Sequence, residues 1–257
     1  MILGVIPARF GSSRLLGKPL ANIGGQPMIR HTYESAKTSK MIDKIIIAVD
    51  DEKVFQVVSH FCADVVMTPK DIKTGSDRIA FVVKDIKNAD IIVNIQGDEP
   101  FIQGRMIDEA IEPLLFDLSV DVSTLAKKIK TVEELKAPSI PKVVFDYNNF
   151  AMYFSRSPIP YVRDAKNYME RLILGNIYKH IGLYVYRYDA LINFTKLQPT
   201  DLEMTERLEQ LRMLENGMRI KIVETNYESI SVDTPGDLEH ARRYYDAFMT
   251  NKNEGND

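Results

Sequence analysis

The 257-residue chain has almost no cysteine: Cys62 stands alone. That excludes an internal disulfide framework and a cysteine-rich zinc site, and it fits a reducing cytosol. The chain also lacks a charge excess. Its 33 Lys and Arg stand against 36 Asp and Glu, a formal charge of −3, so no global basic field points to nucleic acid or to a membrane surface. No run nears the roughly 18 apolar residues of a membrane span. The apolar opening "MILGVI" has no basic leader and soon meets Pro7 and Arg9, so it reads as a strand and not as a signal peptide. Internal repeats and low-complexity tracts are missing too. Positive potential, where it exists, must be local.

What the chain does have is alternation. Over about its first half, short apolar runs alternate with amphipathic stretches, the pattern of a parallel sheet with crossover helices. Strands are expected at 2–6, 44–50, 63–68 and 90–100, and helices at 27–39, 52–61, 76–86 and about 105–116. After residue 120, "DVSTLAKKI", "KVVFD", "AMYFSR" and "HIGLYVYR" are strand-like with no long helices between them, which suggests antiparallel strands. Residues 202–217 read as one helix with Leu202, Leu208, Leu211 and Leu214 inward and Gly217 as its C-cap. A strand at 220–224 and a strand, turn and helix beginning at "SISVDTPGDL" close the chain, before a polar tail at 251–257 expected to fray. The expected architecture is α/β, a mostly parallel doubly wound sheet. It forms a single domain over 1–250 with an inserted antiparallel sub-region at about 136–187.

The stretch "VIPARFGSSRLLGKPL" (5–20) places Arg9, Arg14 and Lys18 on one glycine-bearing loop directly after a strand. Two familiar phosphate motifs are absent. Gly11 is followed by Ser12-Ser13-Arg14, which is not G-x-G-x-x-G; five residues separate Gly11 from Gly17, and Pro19 follows Lys18 without the hydroxyl of a P-loop. A solvated basic loop is one reading. The other is a receptor for several phosphates, since three cations on a short loop repel one another unless an anion lies among them. The C-terminal end of a strand in an open α/β sheet is where such ligands bind, and a nucleoside triphosphate fits.

Three further clusters sit at expected strand-to-helix turns. In "TGSDR" (74–78), Ser76 and Asp77 can cap a helix, while Arg78 is a cation near a helix N-terminus, unfavourable without an anion nearby. In "NIQGDEP" (94–100), Asp98 is a candidate for the magnesium ligand that the loop does not supply; a plain Asp-Glu-Pro turn is the alternative. Asp233, in "SVDTP" (231–235), is a second candidate ligand or simply an N-cap. Two carboxylates near a triphosphate loop would jointly hold a metal bridging phosphates.

With these residues placed, the sequence resembles a known family. "IPARFGSSRLLGKPL", "TGSDR", "NIQGDEP", "YFSRSPIP", "HIGLYVYR", "LEQLRMLENG" and "VDTPGDL" occur in the order found in CMP-Kdo synthetases, the 3-deoxy-manno-octulosonate cytidylyltransferases, across residues 2 to about 243. The resemblance implies a nucleotidyltransferase that joins CTP to the eight-carbon acid sugar Kdo with release of pyrophosphate and with Mg²⁺. It also implies a cytoplasmic homodimer serving lipopolysaccharide biosynthesis. A related acid sugar, 8-amino-Kdo or a sialic acid, is the alternative substrate, and a non-catalytic nucleotide-binding module is the alternative of a different class.

Carried over by residue, the resemblance assigns Arg9 and Lys18 to the triphosphate, with Ser13 and Arg14 beside them. Ser76, Arg78 and Gln96 would face the nucleotide, and Asp98 and Asp233 would hold magnesium. Arg156, His180, Tyr184, Glu209 and Gln210 would form the sugar side, Arg156 pairing with the sugar carboxylate. Glu209 and Gln210 also read as the exposed face of a helix, Tyr184 as sheet packing and His180 as structural. Arg9, Lys18, Asp98 and Asp233 form the expected catalytic set for attack of the C2 hydroxyl on the α-phosphorus. No general base stands out, so metal-assisted deprotonation at Asp98 is expected. The chain departs from the family at Leu15-Leu16-Gly17 and at "KAPSIPKVVFD" (136–146), where Lys142 and the two valines remain.

Overall fold

The opening apolar run forms β1 (Ile2–Ala8), buried along most of its length. The computed structural model describes residues 1–11 and 15–254. The chain divides into two compact units: Met1–Asp108 with the chain from Glu228 on, and Glu109–Tyr227. The expected sub-region, 136–187, lies inside the second.

In the first unit, β1 is followed by a small hairpin, β2 (Asn22–Ile23) and β3 (Gln26–Pro27). Next come α1 (Met28–Ala36), β4 (Lys44–Val49), α2 (Glu52–Ser59), β5 (Val65–Met67), α3 (Gly75–Val83) and β6 (Ile91–Asn94). The three pairings among its four long strands are parallel, in the order β6-β1-β4-β5. Burial of Ile46, Ile47, Ile91, Ile92 and Val93 explains why these strands read as continuous apolar runs and not as alternating ones. β4 and β5 extend the sheet on one side of β1 and β6 on the other. The winding therefore reverses between β1 and β6, and the crevice beyond their carboxyl ends is the place for a ligand.

α4 (Gly104–Phe116) carries the chain into the second unit. There β7 (Val122–Lys128), α5 (Val132–Lys136), β8 (Lys142–Phe145), β9 (Ala151–Ser155), α6 (Tyr168–Leu174) and β10 (Tyr178–Arg187) follow. After them come α7 (Tyr188–Lys196), α8 (Asp201–Glu206), α9 (Gln210–Glu215) and β11 (Ile220–Glu224). β10 is antiparallel to β7 and β8, and β8 is antiparallel to β9, as the change of rhythm after residue 120 suggested; β11 is parallel to β7.

The structure departs from expectation at two places. Residues 202–217 are two short helices, because Arg207 takes a left-handed conformation (φ +53°) between them. The break turns Leu202 out to solvent, and Leu208, Leu211 and Met213 fill the core. Gly217 (φ +75°) does end the second helix as expected. The segment before Asp233 forms no strand; the Val232 N–H donates to the Asp98 carbonyl (2.9 Å) and the Ser229 hydroxyl to the Glu99 carboxylate.

The closing helix, α10 (Pro235–Glu254), returns the chain to the first unit. Leu238 and Ala241 pack there with Ile23, Met28 and Val232. The rest of the tail lies outside the described residues. No helix among the described residues is long and apolar enough to cross a membrane.

Candidate active site

The loop after β1 has a narrow neck. The Gly17 N–H donates to the Phe10 carbonyl at 3.1 Å, and Gly17 lies at φ +69°, a left-handed conformation that glycine adopts without a side-chain clash. A single 3-10 turn, Lys18–Leu20, follows at once and fixes Lys18. Arg9, before the neck, donates from Nη1 to the Lys73 carbonyl at 2.7 Å and remains 44% exposed. Ser13 and Arg14, expected beside them, lie outside the described residues.

Lys18 does not point into open solvent. Its Nζ lies 2.5 Å from Asp98 Oδ2 and 2.9 Å from Asp233 Oδ1, so the two carboxylates meet at one cation. Burial alone would lower the Lys18 pKa, but the charges and hydrogen bonds of Asp98 and Asp233 outweigh it and hold the pKa above its ordinary value. Asp233 is available because Thr234 makes the capping contacts of α10: its Oγ1 accepts the Asp237 N–H, and the Asp237 carboxylate accepts the Thr234 N–H at 2.8 Å. The N-cap alternative for Asp233 thus gives way to its neighbour.

Asp98 is presented by Gly97, where a Cβ would come 2.6 Å from the Pro7 carbonyl of β1. Gly97→Ala is therefore expected to push the turn off the strand, lowering stability by about 1–3 kcal/mol and displacing Asp98. Thermal unfolding together with turnover checks this, and an unchanged midpoint would refute it. Next to Asp98, burial raises the Glu99 pKa to about 7, the Ser229 hydroxyl works against that shift, and the charges of Asp98 and Asp233 add to it.

The TGSDR turn is built differently from the expectation. Thr74, not Ser76 or Asp77, caps α3, its Oγ1 accepting the Asp77 N–H at 3.1 Å. Ser76 is buried. The Arg78 side chain has no exposed surface: Nη2 lies 3.2 Å from Asp50 Oδ2 and 3.3 Å from the Ile72 carbonyl, and Nη1 donates to Thr68 Oγ1. The anion that a cation near this helix start demands is thus the Asp50 carboxylate. Burial lowers the Arg78 pKa, Asp50 raises it and nearby Arg9 lowers it further. Gln96 donates to Asn94 Oδ1 at 3.0 Å and is only partly buried.

The residues expected on the sugar side all lie in the second unit, around β9, β10 and the break between α8 and α9. Arg156, just after β9, donates to the carbonyls of Glu206 (2.6 Å), Pro138 (2.8 Å) and Arg207 (3.1 Å). It satisfies the carbonyls that the left-handed Arg207 releases. Glu206 in turn accepts the Ser155 hydroxyl and the Arg156 N–H. In the divergent segment 136–146, Lys142 is wholly buried and donates to the Ala137 and Ile140 carbonyls at 2.9 and 2.7 Å. That lysine closes the local turn. Gln210 is 5% exposed and its amide nitrogen is buried without a hydrogen-bond partner, which removes the exposed-face reading for it. Glu209 is partly buried. The Tyr184 hydroxyl is likewise buried with no partner in hydrogen-bonding geometry. An unsatisfied buried polar atom is costly, and two in one region are what a hydroxyl-rich ligand would satisfy.

His180 packs edge-on to Phe154, its ring 5.0 Å away, and 5.4 Å from the Tyr184 ring. Its Nε2 lies 2.9 Å from the hydroxyl of buried Thr124, which is also 2.7 Å from the Leu183 carbonyl and 3.1 Å from that of Ile181. The single hydroxyl proton goes to a carbonyl, so Nε2 must donate and Nδ1 is left as an acceptor. Burial lowers the His180 pKa from 6.5 to about 3. The unfolded chain takes up this proton near pH 6.5 and the folded chain near pH 3, so stability present above pH 6.5 is lost as pH falls through that window. His180→Gln is expected to flatten the decline of the unfolding midpoint between about pH 6.5 and about pH 4. A midpoint that falls as steeply in the variant would contradict this.

A cytidylyltransferase family model matches residues 3–220. The 3-deoxy-manno-octulosonate cytidylyltransferase of Geotalea uraniireducens is 50% identical over 244 residues, 93% of this chain and 96% of that protein. The chain belongs to the 3-deoxy-manno-octulosonate cytidylyltransferase family. The member from Pelobacter propionicus is also 50% identical, over 97% of this chain and 99% of its own. A solved structure of CMP:2-keto-3-deoxy-manno-octonic acid synthetase complexed with CTP superposes with a TM-score of 0.87 at 40% identity, covering 98% of this chain and 99% of that one.

Within this cytidylyltransferase, sequence reasoning passed over Asp50, Thr124 and Glu206. Asp50 carried a readable signal, a carboxylate at the end of an apolar strand, as at Asp98. Thr124 and Glu206 carried none, because their roles depend on partners 56 and 50 or more residues away.

Proposed function

We propose that this chain transfers the cytidylyl group of CTP to the C2 hydroxyl of 3-deoxy-manno-octulosonate (Kdo), forming CMP-Kdo and pyrophosphate. The observation that carries the reading is the convergence of Lys18, Asp98 and Asp233 beyond β1 and β6 in a chain of this family. The nucleotide belongs to the first unit and the acid sugar to the second. Arg9 and Lys18 take the charge of the triphosphate, and Gln96 takes a nucleotide polar group. In the second unit, Arg156 retains guanidinium N–H groups beyond those given to carbonyls, and these pair with the sugar carboxylate. His180, Tyr184, Glu209 and Gln210 take its hydroxyls. Arg78 acts behind this set, through Asp50.

Asp98 and Asp233 fit a magnesium site. Both are hard oxygen donors already sharing one cation, the Lys18 ammonium. Among the described residues no three His, Cys, Asp or Glu side chains gather as a metal centre, so the ion would draw its remaining ligands from phosphate oxygens and water, the usual habit of Mg²⁺. When bound there it would supply charge stabilisation on the α-phosphate and the departing pyrophosphate. The protein acts as a homodimer in the cytoplasm, serving lipopolysaccharide assembly; exposed Met152, Tyr161 and Ile173 within 150–187 supply apolar surface for the dimer contact.

Pyrophosphate release, measured with CTP or UTP against Kdo, 8-amino-Kdo and a sialic acid, tests the reaction. Release is expected with CTP and Kdo above every other pairing. CTP binding with no release for any acid sugar would reduce the chain to a nucleotide-binding module, and faster release with 8-amino-Kdo would change the substrate.

A further inference from the structure

We propose that Asp50 is a positioning residue that aims Arg9 at the triphosphate. The inference rests on the reading that the loop after β1 receives CTP. Asp50 follows β4 directly and is only 7% exposed. Its Oδ1 accepts the Phe10 N–H at 2.9 Å, and Phe10 is the residue whose carbonyl closes the loop's neck with Gly17. Its Oδ2 lies 3.2 Å from Arg78 Nη2 and 3.9 Å from Arg9 Nε.

One carboxylate thus joins the end of β4, the neck of the phosphate loop and the first turn of α3. It has no freedom to turn away. Rotating it would strand the Arg78 charge, which has no exposure to water, and would leave the Phe10 N–H without its acceptor. Arg9 is the mobile partner: nearly half exposed, on a long side chain, and tied otherwise, among the described residues, by Nη1 to the Lys73 carbonyl. An unrestrained arginine loses rotamer freedom when it closes on a phosphate, and a fixed carboxylate beside Nε removes part of that loss beforehand. At 3.9 Å and half exposed, the pairing is weak enough to leave most of the Arg9 charge for an incoming anion.

The test is a double-mutant cycle on the full-length protein, read as the CTP dissociation constant by titration calorimetry. Asp50→Asn keeps an oxygen for the Phe10 N–H and removes the charge beside Arg9. Asp50→Asn and Arg9→Gln are each expected to weaken CTP binding roughly fivefold to tenfold, and the double variant to bind no more weakly than Arg9→Gln alone. Independent effects that multiply in the double variant would overturn the inference, because Asp50 would then act by a route other than Arg9. Wild-type CTP binding by Arg9→Gln would overturn the triphosphate reading itself, a result distinguishable from the first. Should the uncompensated Arg78 prevent folding, Arg78→Gln is added to the two arms that carry Asp50→Asn, so that no buried charge is left unpaired, and these are compared with the wild type and Arg9→Gln with the same expected outcomes.

Discussion

Asp98→Asn is expected to remove turnover, by roughly a thousandfold, while leaving the protein folded and able to bind CTP. The substitution keeps an oxygen at the turn and removes half of the paired negative charge that Asp98 and Asp233 present. Stability should hardly move. Lys18 keeps Asp233 at 2.9 Å, and the Asp98 side chain is 23% exposed, so the lost ion pair is worth about 1 kcal/mol or less. Single-turnover pyrophosphate release, beside circular dichroism and a CTP titration, separates the two effects. Near-normal rates in the variant would rule out the carboxylate as part of the catalytic set, and loss of fold would make it structural instead.

The second large effect lies away from the reacting groups. Arg78→Met should cost about 3–5 kcal/mol of stability, the usual penalty for removing one member of a buried ion pair. Methionine approximates the length of the side chain but leaves Asp50 Oδ2 and Thr68 Oγ1 without their donor. Arg78→Lys should rescue little, since one ammonium cannot span Asp50, Thr68 and the Ile72 carbonyl together as the planar fork does. A urea midpoint for Arg78→Met equal to that of the wild type would show that Arg78 carries no such structural burden. If Arg78 acted only by touching nucleotide, CTP affinity would fall with no change in that midpoint.

Several elements were readable because their signals are local. The apolar runs at 44–49 and 91–94 are continuous because both faces are covered, and the structure places β4 and β6 there. The loop of cations after β1 could be located from Arg9, Gly17 and Lys18 alone. The single helix expected at 202–217 failed because leucine spacing spans a break without detecting it. The left-handed Arg207 changes the phase, and its freed carbonyl is taken by Arg156, some fifty residues earlier in the chain. Capping was misplaced by a residue or two at both Ser76 and Asp233, where Thr74 and Thr234 hold the contact instead. A turn rich in Ser, Thr and Asp offers several equivalent caps, and only backbone geometry chooses among them.

The kind of architecture, the family, and the segments that carry charge to the carboxyl ends of strands were all legible along the chain. These follow from periodicity and from short motifs, which a chain displays without being folded. Where those charges go is settled by the folded arrangement. Lys18 meets Asp98 across 80 residues and Asp233 across 215, and Arg78 turns inward to Asp50 across 28. The choice of ionic partner depends on distance and burial together, and neither is a property of neighbouring residues along the chain.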